Sequence, residues 1–341
     1  MTSRVLVVGA GSIGLFVGGK LGVAGAHVTF VGRRRMLDEV TEFGLRLTDL
    51  DGGDDALPSA RCHVATEPDD VGSADLVLVT VKSAATADAV RELTGKIRPG
   101  TVVLSLQNGI GNDTVIREIL PHCVVLAGMV MFNVVHHEGG RFHRGTEGGL
   151  AVQDDPGLAP FLGVFEQAGL ALRRHADLRP VQWAKLLLNL NNPINALSGR
   201  PLREELGDRN YRRCLALAQR EALAVMQRAR ITPARLTPLP PKLVTMLLPV
   251  PDGVFRRVFG RVLAVDPMAR SSMADDLALG RKTEISWLCG EIVGLGAMVG
   301  MPTPVNQRLI ELIVAAEQGD RRTWTGAELL DELRAADAAQ H

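Results

Sequence analysis

The feature that most constrains the fold is a glycine-rich motif near the start of the chain. It follows the apolar run Val5–Val8, opens a helix-length segment, and reads Gly9-Ala10-Gly11-Ser12-Ile13-Gly14. In this context the first glycine suits a tight turn, the second lets the backbone approach a pyrophosphate, and the third permits close helix packing. The helix N-terminus also offers N–H groups and a positive dipole end to phosphates. The motif predicts dinucleotide contacts from Gly9, Gly11, Ser12, Ile13 and Gly14; the alternative is a glycine turn without a ligand.

The first half of the chain alternates short apolar runs with helix-length segments. We predict five strands: Val5–Val8, Val28–Val31, Leu76–Val81, Val102–Leu106 and Val124–Met131. Strand–helix–strand alternation implies right-handed crossovers and parallel pairing. A hairpin-like pattern over residues 141–152 suggests that the sheet ends in antiparallel strands. We therefore expect an α/β Rossmann domain with a mostly parallel sheet over residues 1–178.

Beyond residue 178 the apolar spacing becomes helical. Predicted helices span Trp183–Leu197, Arg212–Arg230, Ser272–Val299 and Asn306–Gln318. The Pro-rich segment Thr237–Pro251 interrupts them and is expected to form a loop or short helices. We predict an all-α C-terminal domain over residues 179–341.

The composition excludes several classes of function. Lys+Arg and Asp+Glu both number 38, so the chain shows no basic excess that would indicate nucleic-acid or membrane binding. Its four cysteines are scattered and its histidines are not clustered, so we expect neither a metal site nor disulfides. No segment predicts a signal peptide or membrane span. We expect a cytoplasmic protein; the sequence does not fix its assembly, and a homodimer is one option.

The end of the second predicted strand indicates which dinucleotide binds. NAD-binding chains usually place an acid there to bond the ribose 2′-hydroxyl. Here the strand is followed by Gly32-Arg33-Arg34-Arg35, with no acid before Asp38. A guanidinium can bind a 2′-phosphate through paired hydrogen bonds. This favours NADPH with Arg33 as the main contact; the alternative is a solvated basic turn.

Polar residues interrupt the leucine-rich segment that begins the second domain, three of them at helical spacing. On a helix, Lys185, Asn189 and Asn192 project from one face, because they are four and seven residues apart. Burying them unpaired would cost roughly 1–3 kcal/mol each, so a polar ligand facing them is a natural explanation. The alternative is a lysine that extends to solvent at a helix start, with asparagines at a kink.

Further motifs resemble those of one family. They are Val81-Lys82-Ser83, Asn108 within Leu106–Gly111, Lys185-Leu-Leu-Leu-Asn189, Ser271-Ser272-Met273 and Thr283-Glu284-Ile285. In order and spacing, over nearly the whole chain, they resemble the ketopantoate reductases (2-dehydropantoate 2-reductases). The resemblance implies an NADPH-binding Rossmann domain and a helical domain that closes over ketopantoate.

The resemblance also implies roles for individual residues. Lys185 would be the proton donor, Asn189 and Ser272 would bind substrate, and Lys82, Asn108 and Glu284 would contact the cofactor. Ser272 equally suits a helix N-cap, Asn108 a tight turn, and Lys82 and Glu284 an exposed surface. The family has an asparagine where this chain has Pro193, which is expected to kink the helix and to let Asn192 or Asn195 reach the substrate.

These features predict an enzyme that reduces ketopantoate to pantoate by hydride transfer from NADPH, with Lys185 as proton donor. One alternative is a reductase of another branched or aryl 2-keto acid, because Pro193 and the Thr237–Pro251 segment could reshape the pocket. The other is an NADPH-binding sensor without turnover, which the presence of Lys185 disfavours.

Overall fold

The structure, a computed structural model, describes residues 2–68, 72–259 and 269–339. The chain divides into two compact units, residues 1–178 and 179–341. Each unit is built differently, the first around β-sheets and the second from helices.

The first unit contains twelve strands among its described residues. They are β1 (Arg4–Val8), β2 (His27–Val31), β3 (Leu45–Asp49), β4 (Asp54–Leu57), β5 (His63–Ala65), β6 (Leu76–Val79), β7 (Val102–Ser105), β8 (Val124–Val130), β9 (Val134–His137), β10 (Arg141–Arg144), β11 (Leu150–Gln153) and β12 (Leu172–His175). The helices are α1 (Ser12–Val23), α2 (Arg34–Phe43), α3 (Thr86–Arg91), α4 (Asn112–Ile119) and α5 (Leu162–Gln167).

Eight strands form the main sheet, in the order β12-β11-β8-β7-β6-β1-β2-β5. All neighbours pair in parallel except β11, which runs antiparallel to β8. The inner strands β1, β6 and β7 are buried almost throughout, because helices cover a parallel sheet on both faces. The predicted α/β class, with its mostly parallel sheet and antiparallel end, is confirmed.

A second sheet, in the order β4-β3-β10-β9, was not predicted. The hairpin-like pattern over residues 141–152 covers two strands that belong to different sheets. Strand β10 pairs with β9 in the smaller sheet, whereas β11 joins the main one. The smaller sheet packs on α1, where a Cβ added to Gly19 would lie 2.9 Å from Leu45 and Leu47 side-chain atoms. Close packing of this kind depends on tertiary contacts and leaves little local signal.

The second unit is helical throughout its described part. Its helices are α6 (Arg179–Asn189), α7 (Asn191–Ser198), α8 (Leu202–Gly207), α9 (Arg209–Arg228), α10 (Pro241–Leu247), α11 (Asp252–Phe259), α12 (Ser272–Ala278), α13 (Cys289–Val299), α14 (Pro304–Glu317) and α15 (Gly326–Ala338). The predicted helical class of this part is confirmed. Within the described ranges, no helix combines the length and apolar character that crossing a membrane requires.

Two of the predicted helices are interrupted. The first breaks at Leu190, between α6 and α7, three residues before Pro193, whose ring cannot be accommodated by the preceding turn of an unbroken helix. The predicted helix Ser272–Val299 is wrong as a continuous element. It ends at Ala278, because Gly280 adopts φ +65° and its N–H bonds the Leu277 carbonyl, an arrangement typical of a helix C-terminus.

The Pro-rich segment Thr237–Pro251 contains the short helix α10 and is held by one buried arginine. The Arg212 guanidinium on α9 is fully buried and donates to the carbonyls of Leu248 (2.9 Å) and Val250 (2.8 Å). It also bonds the Asp252 carboxylate at 2.8 Å and lies 4.2 Å from the centroid of the Phe255 ring. These contacts join the Pro-rich segment to the longest helix of the unit.

Candidate functional site

The structure brings four predicted cofactor-binding loops to one edge of the main sheet. Strands β7, β6, β1 and β2 are parallel neighbours, so their carboxyl ends lie side by side. The glycine turn follows β1, Arg33 follows β2, Lys82 follows β6 and Asn108 follows β7. Ligands of open α/β sheets bind at such an edge.

The three motif glycines occupy different environments. Gly9 has φ +115°, which side chains rarely adopt, and its N–H bonds the Val31 carbonyl at 2.9 Å. A Cβ at Gly14 would lie 2.2 Å from the Gly9 carbonyl oxygen, so α1 packs directly against the turn. A Cβ at Gly11 would meet no atom within 4 Å. Two glycines therefore shape the turn, and Gly11 leaves open space beside it.

That open space lies at the N-terminus of α1. Gly11 is the N-cap residue of the helix, and no side chain caps it, so the first-turn N–H groups of Ser12 and Ile13 face this end. A pyrophosphate has the size and charge that this cradle accepts. The residues present thus fit a dinucleotide.

Thr80 supports the turn and was missed in the sequence, where it ends an apolar run. Its Oγ1 donates to the Gly9 carbonyl at 2.7 Å and lies where a Gly14 side chain would be. A lone threonine after four buried strand residues is too common a pattern to indicate this role.

The arginine run begins beside the glycine turn. Arg33 precedes α2 as its N-cap residue, two positions after Val31, whose carbonyl accepts the Gly9 and Ala10 N–H groups. Arg33, Arg34 and Arg35 are exposed, and none has a carboxylate partner among the described residues. Their charges are therefore available to an anionic ligand at this edge.

A buried hydrogen-bonded network holds the loops that carry Lys82 and Asn108. The Ser83 Oγ donates to the Asn108 carbonyl at 2.9 Å, and Asn112 Nδ2 donates to the same carbonyl at 2.8 Å. Gln107 Nε2 donates to the Val81 carbonyl (2.9 Å). The network fixes both loops relative to each other, and it leaves Lys82 exposed and Asn108 half-buried. The sequence did not reveal these supporting residues, because the bonds that join the two loops connect residues 21 to 29 positions apart.

In the second unit, a stripe of accessible residues runs along α6 and α7. Lys185, Asn189 and Asn192 are half-buried and Leu188 is 43% exposed, whereas their helix neighbours are buried. The break at Leu190 does not remove Asn192 from the stripe. The three predicted polar residues therefore share one accessible face.

Lys185 lies in an electrostatic environment unusual for a lysine. Burial of its ammonium group lowers the pKa of Lys185 to about 8, and the nearby Glu284 carboxylate partly opposes this shift. Glu284 is half-buried and immediately precedes a short 3-10 turn at residues 285–287. A lysine with such a pKa exchanges protons readily near neutral pH.

Asn192 and Ser272 are joined through Ser271. The Ser271 Oγ donates to the Asn192 carbonyl at 3.3 Å, and the Ser271 N–H donates to Asn195 Oδ1 at 2.9 Å. Ser271 also caps α12 by accepting the Ala274 N–H, so the capping alternative for Ser272 is wrong and the neighbouring Ser271 is the cap. Ser272 is exposed at the first position of the helix.

Asn195 does not share the accessible face. It is fully buried, and its Nδ2 donates to the Arg200 carbonyl at 3.0 Å. Of the two alternatives for the asparagine lost at Pro193, Asn195 is therefore wrong, because its amide bonds the Arg200 carbonyl and the Ser271 N–H. The accessible face then carries the Lys185 ammonium group and the Asn189 and Asn192 amides. These groups are suited to polarising and protonating a carbonyl oxygen.

Comparison with known proteins identifies relatives of both units. Residues 5–157 match the family model described as ketopantoate reductase PanE/ApbA, and residues 177–317 match its C-terminal counterpart. A 2-dehydropantoate 2-reductase from Halobacterium salinarum is 32% identical over 92% of this chain and 99% of its own length. One from Archaeoglobus fulgidus is 28% identical over 93% and 98%.

Solved structures agree with these matches. The crystal structure of a PanE/ApbA family ketopantoate reductase from Ralstonia eutropha has a TM-score of 0.79 and 27% identity, covering 94% of this chain and all of that one. A D-mandelate dehydrogenase bound to NADH and anilino(oxo)acetate has a TM-score of 0.74 at 20% identity, covering 92% of this chain and 98% of that one. At that identity the second match shows a shared fold only.

Proposed function

The chain belongs to the ketopantoate reductase family, and from that premise we propose that it reduces 2-dehydropantoate to pantoate with NADPH. The observation that carries the proposal is Lys185 beside Glu284, on the accessible face of α6 and α7 that also presents Asn189 and Asn192. Such a face supplies a proton donor and neutral hydrogen-bond donors together. Those are the groups that the reduction of a ketone requires, besides a source of hydride.

In the proposed reaction, Lys185 donates its proton to the keto oxygen as the carbonyl carbon is reduced. Glu284 favours the charged form of Lys185 and so keeps this proton donor protonated. Asn189, Asn192 and Ser272 would bind the keto acid through side chains at the accessible face. Desolvation makes Lys185 a stronger acid than a solvated lysine, which favours transfer at neutral pH.

The first unit would hold the cofactor. Gly9, Gly11, Ser12, Ile13 and Gly14 would cradle its pyrophosphate, Arg33 its 2′-phosphate, and Lys82 and Asn108 the nicotinamide half. We propose that Glu284 contacts the cofactor as well as acting on Lys185. NADPH, when bound, supplies the hydride.

A panel of 2-keto acids assayed with NADPH tests this function. We expect the highest kcat/KM on ketopantoate, followed through the loss of NADPH absorbance, with pantoate identified as product. A markedly higher kcat/KM on another branched or aryl 2-keto acid would assign the chain to that substrate, as the Pro193 departure allows. Tight NADPH binding without turnover on any keto acid would instead support a sensor.

Arg33→Asp is expected to reverse the preference between the two cofactors. The substitution removes a charge-assisted hydrogen bond to the 2′-phosphate, worth roughly 1.5–3 kcal/mol, and adds a carboxylate that can bond a ribose hydroxyl. The ratio of kcat/KM with NADPH to that with NADH should fall about tenfold or more. Steady-state kinetics with both cofactors measures the ratio.

Arg35→Asp is the matched control, because Arg35 is an exposed arginine two residues further on, inside α2. It changes net charge equally but should change the cofactor ratio far less. Equal effects of the two substitutions would mean that a diffuse basic surface, and no specific Arg33 contact, selects the cofactor.

A further inference from the structure

A buried carboxyl group in the second unit contacts the residue that immediately precedes Asn192. Glu205, on α8, is fully buried, and its Oε2 accepts a hydrogen bond from Asn191 Nδ2 at 2.9 Å. Asn191 immediately precedes Asn192 and is itself buried. The carboxyl group thus contacts α7 through a buried residue that is next to Asn192 in the sequence.

Two polar atoms of this pair have no hydrogen-bond partner among the residues that the structure describes. They are Glu205 Oε1 and Asn191 Oδ1, and both are buried. Each is an acceptor when Glu205 is ionised, so neither can satisfy the other. A proton on Oε1 would turn it into a donor, which is the kind of group that Asn191 Oδ1 lacks.

The surrounding charges do not compensate an ionised Glu205. No ion pair to it occurs within the described ranges, and the nearby Arg212 guanidinium is bonded to the Leu206, Leu248 and Val250 carbonyls and to Asp252. Asp208, at the start of α9, is a further negative group. Burial raises the pKa of Glu205 to about 8, with the Asn191 hydrogen bond, the nearby Asn195 amide and the Arg212 charge opposing the shift.

The remaining titratable neighbours are uncharged at neutral pH. Tyr211 and Cys214 face Glu205 from α9; burial raises the pKa of Tyr211 and raises that of Cys214 to about 12. Neither group therefore adds a negative charge beside Glu205 at neutral pH.

We propose that Glu205 is a positioning residue, held as a neutral acid that pairs with the Asn191 amide and thereby fixes α7 beneath the substrate-binding face. The pairing acts through α7 on Asn192, whose carbonyl accepts from Ser271 Oγ, and on Asn195, which holds the Ser271 N–H. Loss of the proton places an unpaired charge under α7 and disturbs Asn192 and the Ser271–Ser272 segment together. The inference rests on the proposed function, because it assigns Asn192 and Ser272 to keto acid binding.

Glu205→Gln is the sharpest test, because the amide reproduces the donor and acceptor of the neutral acid at every pH. The matched control is Glu204→Gln, which changes the exposed neighbouring glutamate on the same helix. At pH 6 we expect the Glu205→Gln variant and the wild-type protein to have the same KM for the keto acid. At pH 9 the wild-type KM should be about tenfold higher than that of the variant. Lys185 titrates in both proteins, so their comparison isolates Glu205.

Glu205→Ala removes the pairing at all pH values. We expect it to raise the keto acid KM about tenfold even at pH 6, with the Kd for NADPH unchanged, and Glu205→Gln to restore the wild-type KM. An unchanged KM in the alanine variant, or a Glu204→Gln effect as large as that of Glu205→Gln, would overturn the positioning role.

Thermal unfolding decides the protonation state without any enzymatic assay. The folded pKa of Glu205 lies above the ordinary 4.5, so the stability that the neutral acid contributes is lost as pH rises from about 4.5 to 8. The Tm of Glu205→Gln relative to wild type should therefore rise across that interval and stay constant above it. Parallel Tm profiles would overturn the inference. If wild type reduces no keto acid, the proposed function fails and the substrate-positioning role fails with it, whereas divergent Tm profiles would still establish the neutral acid.

Discussion

Replacing Lys185 with alanine should lower kcat on the keto acid about 10²–10⁴-fold, the usual contribution of a positioned general acid. The Kd for NADPH should stay close to the wild-type value, because the proposed cofactor cradle belongs to the first unit. Steady-state kinetics combined with a fluorescence titration of NADPH separates the two quantities. The effect is large because proton transfer to the keto oxygen then depends on water.

The matched control is Lys242→Ala, which removes an exposed lysine of α10. It should leave kcat and Kd unchanged. A Lys185→Ala variant that retains the wild-type kcat would show that the proton comes from another group, and would withdraw the assignment of Lys185.

The pKa of Lys185 adds a pH dependence with a defined sign. Burial lowers this pKa to about 8 from the ordinary 10.5, so the ammonium form predominates below pH 8 and is lost above it. A general acid acts only while protonated, so kcat/KM should decline as pH rises through about 8. In Glu205→Gln, kcat should decline through the same pH as in wild type, because its Lys185 is unchanged, and only the KM should differ between the two proteins. A kcat/KM that stays constant to pH 10 would contradict the role of Lys185.

Substitution of Gly11 by valine should raise the Kd for NADPH about 10²-fold while leaving the fold intact. Gly11 has φ −92°, which any residue can adopt, and its missing side chain faces open space. A valine there would fill the space proposed for the pyrophosphate and weaken about two charge-assisted hydrogen bonds, worth roughly 1.5–3 kcal/mol each. Calorimetric titration with NADPH and a melting curve measure the two effects.

Gly14→Val is the contrasting variant from the same motif. Its Cβ would lie 2.2 Å from the Gly9 carbonyl and 2.5 Å from Thr80 Oγ1. We expect it to lower the free energy of unfolding by about 1–3 kcal/mol or more, as overpacking does. Wild-type NADPH affinity in Gly11→Val would show that the phosphates bind elsewhere.

Local patterns were enough to predict the parallel sheet and its first helix. Runs such as Val5–Val8 and Val102–Leu106 are buried on both faces, so their apolar character is continuous and conspicuous in the sequence. The smaller sheet was missed because β3 and β4 carry exposed polar residues, and β3 also pairs with β10, a strand far along the chain.

Within the candidate site, the helix face that a residue occupies was easier to predict than the role of its side chain. The spacing of Lys185, Asn189 and Asn192 predicted one helix face, because helical geometry fixes which residues are neighbours. The role of Ser271 could not be separated from that of Ser272, because both are serines at the start of a helix. Only the contact of Ser271 with Asn192 and Ala274 distinguishes them.

By itself the sequence determined the succession of the main strands and helices along the chain. It also determined the glycine turn and the basic run after β2. These features depend on residues that are close together in the chain. The tertiary structure alone decided which polar groups have buried hydrogen-bond partners. The Glu205–Asn191 pair and the Ser83–Asn108 contact join residues 14 and 25 positions apart. The reason is physical: the pKa of a carboxyl group, and the partner of an amide, depend on burial and on neighbours that only the folded chain supplies.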